Sequence, residues 1–268
     1  MIKQSDLTII IPHLGGTKES EYAFNECRTS LTETEPEIKV ITVRNGEKCN
    51  IHRSEIKILQ QGQCKAVNTA VATVSTPWVL VTNDDHIYPP GWFEWLQDEH
   101  YSCISPMLIE PKLGAPTFEV QNFGGAGGDF NKDKFIQFAK EHDRREPPGG
   151  IRKGFNLPFL IKRELWNLIG GYDINYDPWG SNGDSDLEYK IKLAGVQPCQ
   201  NTNSIVYHFS QTSGTFQSEN QKYWHENFAY FEQKWGFPRT DEGIWEASFS
   251  IPEPPVRKFT PWWEGFYG

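Results

Sequence analysis

The sequence lacks any long hydrophobic run. A membrane-spanning helix needs about 20 consecutive apolar residues, and no stretch of the 268 residues approaches that length. The N-terminus also lacks the apolar region and small-residue cleavage site of a secretory signal, because the polar residues 1–6 lead directly into a short apolar stretch. We therefore expect a cytoplasmic protein with no transmembrane segment, and peripheral contact with a membrane is left open.

The sequence also contains few cysteines and fewer basic than acidic residues. The five cysteines are odd in number and include no Cys-x-x-Cys pair, which argues against both a disulfide framework and a zinc cluster. Acidic residues outnumber basic ones by 35 to 26, and no long basic run occurs. Because binding of nucleic acid needs clustered Lys and Arg, no nucleic-acid partner is expected. A nucleotide can still bind through a metal ion.

The periodic segments predict an α/β fold. Two β-branched runs, 7–11 and 38–43, have the pattern of buried strands, and the helix-compatible stretch 17–33 between them predicts a right-handed parallel unit. Apolar residues recur at helical spacing in 63–74 and are followed by the apolar strand 78–81. The N-terminal part of the chain therefore predicts an open, doubly wound sheet.

The rest of the chain is less regular. Residues 110–155 are rich in Gly and Pro, which is typical of a mobile excursion, apart from a short helical pattern at 132–142. Further elements are predicted at 155–161, 163–169, 184–194, 204–208 and 219–235. Many of the aromatic residues follow residue 220, where they can serve packing or stack on sugars. We expect one domain over 1–240 and an aromatic-rich extension over 241–268.

An acidic pair, Asp84-Asp85, directly follows the predicted strand 78–81. Ligands of open α/β sheets bind beyond the carboxyl ends of the strands. Adjacent carboxylates repel each other unless water or a cation intervenes, and carboxylate oxygens suit Mg²⁺ or Mn²⁺. A bridging metal ion is therefore one interpretation; the other is a polar turn made by Asn83-Asp84-Asp85, which the tripeptide alone favours.

Two blocks of motifs carry a resemblance. The first comprises Gly62 to Asn68, Trp78-Val79-Leu80-Val81, Asn83-Asp84-Asp85 and Pro90-Gly91-Trp92. The second comprises Gly154-Phe155, Gly170-Gly171-Tyr172-Asp173, Trp179 to Leu187 with Asp184-Ser185-Asp186-Leu187, and Ala194-Gly195. In this order they resemble family 2-type nucleotide-sugar glycosyltransferases with the GT-A fold, whose DxD motif ends a strand.

The resemblance implies a fold and an activity. The fold would be Rossmann-like, an open twisted, mostly parallel sheet with helices on both faces, with a nucleotide-binding half over 1–110 and an acceptor-side half over 111–240. The activity would be transfer of a sugar from a nucleoside-diphosphate sugar, UDP-sugars first, to a hydroxyl of a glycan or other acceptor. It would depend on Mn²⁺ or Mg²⁺ and invert the anomeric configuration.

The resemblance also implies roles for individual residues. Asp85 and His208 would bind the metal, Asp84 would contact the donor ribose or the metal, and Asp184 would be the catalytic base. Two of these residues have simpler interpretations as well. Asp184 can cap the helix that follows it, and His208 can be a hydrogen-bonded residue at a strand end.

The other implied site residues contact the donor or the acceptor. On the donor side they are Pro12, His13, Leu14, Arg44, Asn45, Lys65, Asn68 and Asn83. On the acceptor side they are Trp179, Gly183 and Asp186. Generic structural roles are open for each of them, including a surface pair of Asp186 with Lys190 and ordinary packing for His13 and His86.

Four residues depart from the family pattern: Asn83 replaces the first Asp, Arg44 a base-recognising Asp, Gly183 a Glu and Lys190 an Arg. The substitutions at Asn83 and Gly183 keep a second function open, a non-catalytic glycan- or nucleotide-binding protein on the same fold. A sugar-nucleotide pyrophosphorylase is a further alternative, although residues 12–17 poorly match the basic, Gly-rich phosphate loop such an enzyme needs. The Gly-rich segment 121–154 can form a lid or a loosely packed insertion.

Overall fold

The computed structural model describes residues 1–46, 56–58, 62–111, 119–142, 150–210, 212 and 218–239. The predicted C-terminal extension, 241–268, lies outside these residues. Among the described residues, no helix is both long and apolar enough to cross a bilayer.

The described residues form ten strands and seven α-helices. The strands are β1 (Leu7–His13), β2 (Lys39–Asn45), β3 (Ile56–Ile58), β4 (Trp78–Val81), β5 (His86–Ile87), β6 (Cys103–Glu110), β7 (Glu119–Val120), β8 (Ile151–Lys153), β9 (Phe159–Lys162) and β10 (Cys199–His208). The helices are α1 (Lys18–Thr34), α2 (Gln63–Val71), α3 (Trp92–Leu96), α4 (Lys132–His142), α5 (Arg163–Ile169), α6 (Gly183–Leu193) and α7 (Gln221–Trp235).

The strands form one mixed sheet in the order β3-β2-β1-β4-β9-β6-β10-β5, with β7 beside β6 and β8 beside β10. Strand β1 pairs in parallel with β2 and β4, as the doubly wound pattern predicts. Strand β9, however, runs antiparallel to both β4 and β6. The α/β fold is therefore confirmed. Five of the nine strand pairings among the described residues are parallel and four are antiparallel, so the sheet is mixed.

The core lies on both faces of this sheet. Along β1, Ile10 packs with α2, α5 and α6 on one face, whereas Ile9 and Ile11 pack with α1 and α3 on the other. Because helices cover both faces, every residue of β1 is buried. This explains why its sequence is a continuous β-branched run rather than an alternating one.

Strand β1 extends two residues beyond the predicted run 7–11, through Pro12 to His13. The pairing with β4 stops at Ile10, whereas the pairing with β2 extends to His13. Pro12 therefore has a sheet neighbour on one side only, where a residue without a backbone N–H is tolerated, as in an edge strand. The extension carries the chain to the carboxyl-end rim of the sheet.

The Gly-rich excursion is packed rather than loose over its described part. Helix α4 forms where its sequence predicts it. Phe123, Phe130 and Phe135 pack around Tyr207 of β10, with ring centroids 5.4 to 5.5 Å from the Tyr207 ring. The Tyr207 hydroxyl also accepts a hydrogen bond from the Phe123 N–H and donates one to the Gly124 carbonyl. These contacts hold residues 119–142 against the sheet.

Helix α7 is attached to α6 through a buried group of charges. The Lys234 Nζ lies 2.6 Å from Asp173 and 2.7 Å from Asp186. The Trp235 indole donates to the same Asp186 oxygen at 2.8 Å, and Lys190 lies 3.3 Å from its other oxygen. Asp186 and Lys190 are thus not the surface pair that their spacing suggests, because both are buried.

Replacing Lys234 with Ala should lower the free energy of unfolding by about 3 kcal/mol, because the buried Asp186 carboxylate loses the positive charge of Lys234. Lys222→Ala, on the exposed face of the same helix, is the matched control and should change it by less than about 0.5 kcal/mol. Urea denaturation of both variants measures the difference. Equal stability of the two would show that the Lys234 ion pairs do not anchor α7.

Candidate metal centre

A cavity of about 350 Å³ opens at the carboxyl-end rim of the sheet. One wall is formed by the ends of β1 and β2 and by the residues that follow β4. Other lining residues come from the loop before α6, from the start of α6, and from α7 and the residues that follow it. This is the rim at which open α/β sheets bind their ligands.

Nine of the predicted site residues line this cavity. They are Pro12, Leu14, Asn45, Asn83, Asp84, Asp85, Trp179, Asp184 and His208. The six that do not line it are His13, Arg44, Lys65, Asn68, Gly183 and Asp186. The cavity therefore joins the acidic turn after β4 to the start of α6, about 100 residues later in the sequence, and to the end of β10, about 120 residues later.

Asp85, His86 and His208 form a cluster in which one possible ligand atom of each lies within 4.8 Å of the others. Strand pairing explains it: His86 and His208 are direct partners in the antiparallel pair β5–β10, so their side chains share a face of the sheet. The Phe209 N–H donates to the Asp85 carbonyl at 3.1 Å and extends this pairing. The predicted metal residues Asp85 and His208 thus meet, together with His86, for which the sequence favoured ordinary packing.

Two atoms of the cluster are buried without a hydrogen-bond partner among the described residues, Asp85 Oδ1 and His86 Nε2. The second carboxylate oxygen of Asp85 accepts from the Thr212 hydroxyl at 2.7 Å and lies 3.3 Å from His208 Nε2. An unsatisfied buried polar atom costs about 1–3 kcal/mol. A cation bound by both atoms would remove that cost.

His86 Nδ1 lies 2.9 Å from the Thr82 hydroxyl, to which it would donate while Nε2 binds the ion, in place of the bond that it accepts from the Asn83 N–H at 3.3 Å. With that tautomer the residues fit a metal ion.

The protonation states also suit metal binding. Burial, and then the positive charge of His208, lowers the pKa of His86 to about 3, so its imidazole is neutral. Burial opposes charge on Asp85, but His208 and the Thr212 hydroxyl outweigh it and hold the pKa of Asp85 below its usual range. Burial likewise opposes charge on His208, yet the Asp85 and Glu110 carboxylates raise its pKa to about 10. A metal ion on His208 would therefore replace a proton.

Asp84 lies outside the metal cluster and is held by another residue. One carboxylate oxygen lies 2.5 Å from His13 Nδ1, while His13 Nε2 lies 3.2 Å from Glu21. The His13 ring is fully buried and stacks on Phe24 at 4.0 Å. Burial raises the pKa of Asp84, against the lowering effect of His13. His13 therefore orients Asp84 and does not reach the cavity itself.

Arg44 and Asn68 have contacts within the protein. The Arg44 guanidinium lies 4.7 Å above the Phe24 ring and 3.8 Å from Glu21. The Asn68 side chain donates to the Tyr172 carbonyl and accepts from the Tyr172 N–H, at 2.8 and 3.0 Å. Asn68 thus ties α2 to the loop after α5 instead of lining the donor side of the cavity.

Lys65 and Gly183 lie at a close contact between α2 and α6. The backbone N–H groups of Cys64 and Lys65 donate to the Asp177 carboxylate at 2.9 and 3.0 Å. A Cβ at position 183 would lie 3.1 Å from the Cys64 sulfur, where it would crowd the contact. The glycine that replaces the expected Glu therefore lets the helices approach closely.

Asp184 lies in the first turn of α6, whose N-cap is Asn182 rather than Asp184. The capping role considered for Asp184 is thus wrong, although the helix dipole still favours its ionised form. The Tyr172 hydroxyl donates to Asp184 Oδ1 at 2.6 Å and orients the carboxylate. Burial raises the pKa of Asp184, partly offset by Tyr172 and Arg239. A carboxyl group with a raised pKa is suited to accept a proton.

Nine further lining residues were not among the predicted ones, and they include Gln63, Trp224 and Arg239. The Gln63 amide donates to Asn83 Oδ1 at 3.3 Å, and Arg239 Nε donates to the Ser185 hydroxyl at 3.0 Å. Trp224 belongs to the aromatic set after residue 220, whose sequence allowed packing as well as sugar stacking. Only the attachment of α7 reveals which of those aromatics reaches the cavity.

Comparison with known sequences gives no relative: no family model matches the chain, and no curated protein matches it. The fold, in contrast, matches solved structures. It is similar to the crystal structure of GalNAc-T7 with UDP, GalNAc and Mn²⁺, with a TM-score of 0.55 and 13% identity over 97% of this chain and 55% of that one.

A second similar structure is the mannosyltransferase PcManGT from Pyrobaculum calidifontis in complex with GDP-Man and Mn²⁺. Its TM-score is 0.53, with 14% identity over 85% of this chain and 64% of that one. The present chain thus spans roughly half to two thirds of the length of these two proteins. At such low identity the likeness establishes the fold: the mixed α/β sheet is that of GT-A glycosyltransferases.

Proposed function

We propose that the protein is a metal-dependent glycosyltransferase that moves a sugar from a nucleoside-diphosphate sugar to an acceptor hydroxyl, with inversion at the anomeric carbon. One observation carries the proposal. The cavity is lined by two residues of the metal cluster, Asp85 and His208, and also by the hydrogen-bonded carboxylate of Asp184. A metal site and a proton acceptor on one cavity are the two parts that glycosyl transfer needs.

The metal end of the cavity would hold the diphosphate. Asp85, His86 and His208 would bind a divalent ion, which when bound offsets the negative charge of the departing nucleoside diphosphate. Two imidazole nitrogens and one carboxylate favour Mn²⁺ over Mg²⁺, since Mg²⁺ prefers an all-oxygen shell and keeps its water. Asp84, which His13 holds, would accept hydrogen bonds from donor hydroxyls.

The opposite end of the cavity would hold the acceptor. Asp184 takes the proton from the acceptor hydroxyl as the hydroxyl oxygen attacks the anomeric carbon, and the bond to the diphosphate breaks on the other face of the sugar. Tyr172 keeps the Asp184 carboxylate in one orientation during this step. Trp179 and Trp224 line the same cavity, where their ring faces can pack against sugar C–H groups and exclude water.

UDP-sugars are the first donors to test, as the motif resemblance implies, and GDP-sugars the second. The two similar structures contain UDP and GDP-Man, respectively, each with Mn²⁺. The base-recognising Asp of the family is replaced by Arg44, which packs on Phe24 instead of lining the cavity. The nucleotide preference must therefore come from other residues, among which Asn45 lines the cavity.

The metal site can be tested without turnover. We expect the full chain to bind Mn²⁺ at least about 10-fold more tightly than Mg²⁺, and His86→Ala to weaken Mn²⁺ binding by at least about 10-fold. Loss of the EPR signal of free Mn²⁺ on titration with protein measures both. The control is His100→Ala, a change of an exposed histidine. Equal binding by His86→Ala and His100→Ala would remove His86 from the metal site.

The role of Asp184 predicts a loss of turnover without a loss of donor binding. Asp184→Asn should reduce kcat by about 10²–10⁴-fold in donor hydrolysis or transfer, while Mn²⁺ and donor affinity stay within about threefold. Asp133→Asn, an exposed first-turn carboxylate on α4, is the matched control. If the unmodified protein binds the donor without turnover, it is a non-catalytic sugar-nucleotide-binding protein. If it forms a nucleoside triphosphate from the donor and pyrophosphate, it is a pyrophosphorylase.

The hydrogen bond from Tyr172 predicts a change in the pH profile. Asp184 must be ionised to act as a base, so the acid limb of kcat/KM should lie above the range of an ordinary Asp, because burial raises its pKa. Tyr172→Phe removes a bond that favours the carboxylate and should move the limb to still higher pH. The pH dependence of kcat/KM, with Tyr101→Phe as control, measures this. A limb that moves to lower pH in Tyr172→Phe would contradict the assignment.

A further inference from the structure

A buried carboxylate outside the proposed ligand set lies beside one of the ligands. Glu110 is the last residue of β6, and β10 pairs with β6 in parallel, with Tyr207 opposite Ile109. This register places Glu110 next to His208. Its Oε1 lies 2.5 Å from His208 Nδ1, and only 4% of the residue is exposed.

Glu110 and Asp85 contact different nitrogens of the His208 ring. His208 Nδ1 faces Glu110, while Nε2 lies 3.3 Å from Asp85. The two nitrogens of an imidazole point in different directions, so a group bonded to Nδ1 does not compete for an ion at Nε2. Contact with Glu110 therefore leaves Nε2 as the nitrogen that meets the Asp85 and His86 cluster.

The Glu110 carboxylate that contacts His208 is buried, and its burial needs a compensating partner. A carboxylate without compensation is costly in a protein interior, so a buried Glu is normally paired. Within the described part of the chain, the hydrogen bond of the Glu110 side chain goes to His208, whereas its backbone carbonyl accepts from the Gln121 N–H at 2.9 Å. The buried charge is thus directed at a single ring that the proposed metal site uses.

We propose that Glu110 is a positioning residue that fixes the ring of His208 with Nδ1–H directed at its own carboxylate and Nε2 available to the metal ion. This inference rests on the proposed function, since it assumes that the cluster binds metal. Carboxylates that accept from the outer N–H of a metal-bound His fix its tautomer and increase its strength as a ligand. Glu110 would act through His208 and would not touch the substrate.

The test compares the Mn²⁺ affinity of the full-length protein with three variants, again by EPR of free Mn²⁺. Glu110→Ala should weaken binding by about 10–100-fold. Glu110→Gln keeps an oxygen that can accept from Nδ1–H, so it should recover part of that loss. Glu188→Gln is the control: Glu188 is a buried carboxylate paired with Lys192 at 2.7 Å and lies outside the cluster, so its Mn²⁺ affinity should stay within about twofold.

A second readout separates positioning from a purely structural role. In ¹⁵N NMR of histidine-labelled, Mg²⁺-loaded protein, His208 should carry its proton on Nδ1, and Glu110→Ala should reduce that tautomer. An unchanged tautomer and unchanged Mn²⁺ affinity in Glu110→Ala would overturn the inference. If Glu110→Ala fails to fold, the same two measurements on Glu110→Gln test the inference. We then expect Mn²⁺ affinity to fall by a few-fold. If the unmodified protein binds no Mn²⁺, the proposed function itself fails along with the inference.

Discussion

The candidate site depends on one short strand pairing. Strand β5 has two residues, His86 and Ile87, and its antiparallel pairing with the end of β10 sets His86 directly opposite His208. The same pairing continues through the bond from the Phe209 N–H to the Asp85 carbonyl. It thereby joins the acidic turn after β4 to a strand about 120 residues later. Without it, His86 and His208 would have no reason to share one face of the sheet beside Asp85.

Charge in the interior is arranged around this pairing. His208 lies between two carboxylates, Asp85 and Glu110, and so carries a charge that burial alone would oppose. His86, with the cationic ring of His208 as its neighbour, is neutral. The result is a cluster with a negative oxygen, a neutral nitrogen and a proton that a metal ion would displace. Asp184 lines the same cavity, and the Tyr172 hydroxyl orients its carboxylate.

The second half of the chain positions other parts of the cavity lining by different means. Lys234 joins Asp173 and Asp186, and through them it fixes α7 against α6. This attachment brings Trp224 and Arg239 to the cavity that Asp184 lines. Asp186, which motif resemblance placed in the acceptor site, is instead the buried counter-charge of this attachment. A residue within a family signature can thus serve the architecture that supports the site.

Local pattern was sufficient for part of this protein. The continuous β-branched runs of β1 and β2 predicted buried strands. The helical spacing of apolar residues in α2 predicted the helix that precedes β4. Both patterns extend over a few consecutive residues and need no distant partner. The acidic pair at the end of β4 likewise marked the rim of the sheet at which the cavity opens. Tertiary structure alone decided the antiparallel insertion of β9, the two-residue strand β5 and the burial of Asp186 with Lys234. Each of these depends on partners far apart in sequence, and a two-residue strand is too short to carry a periodic pattern, so only packing reveals that His86 meets His208.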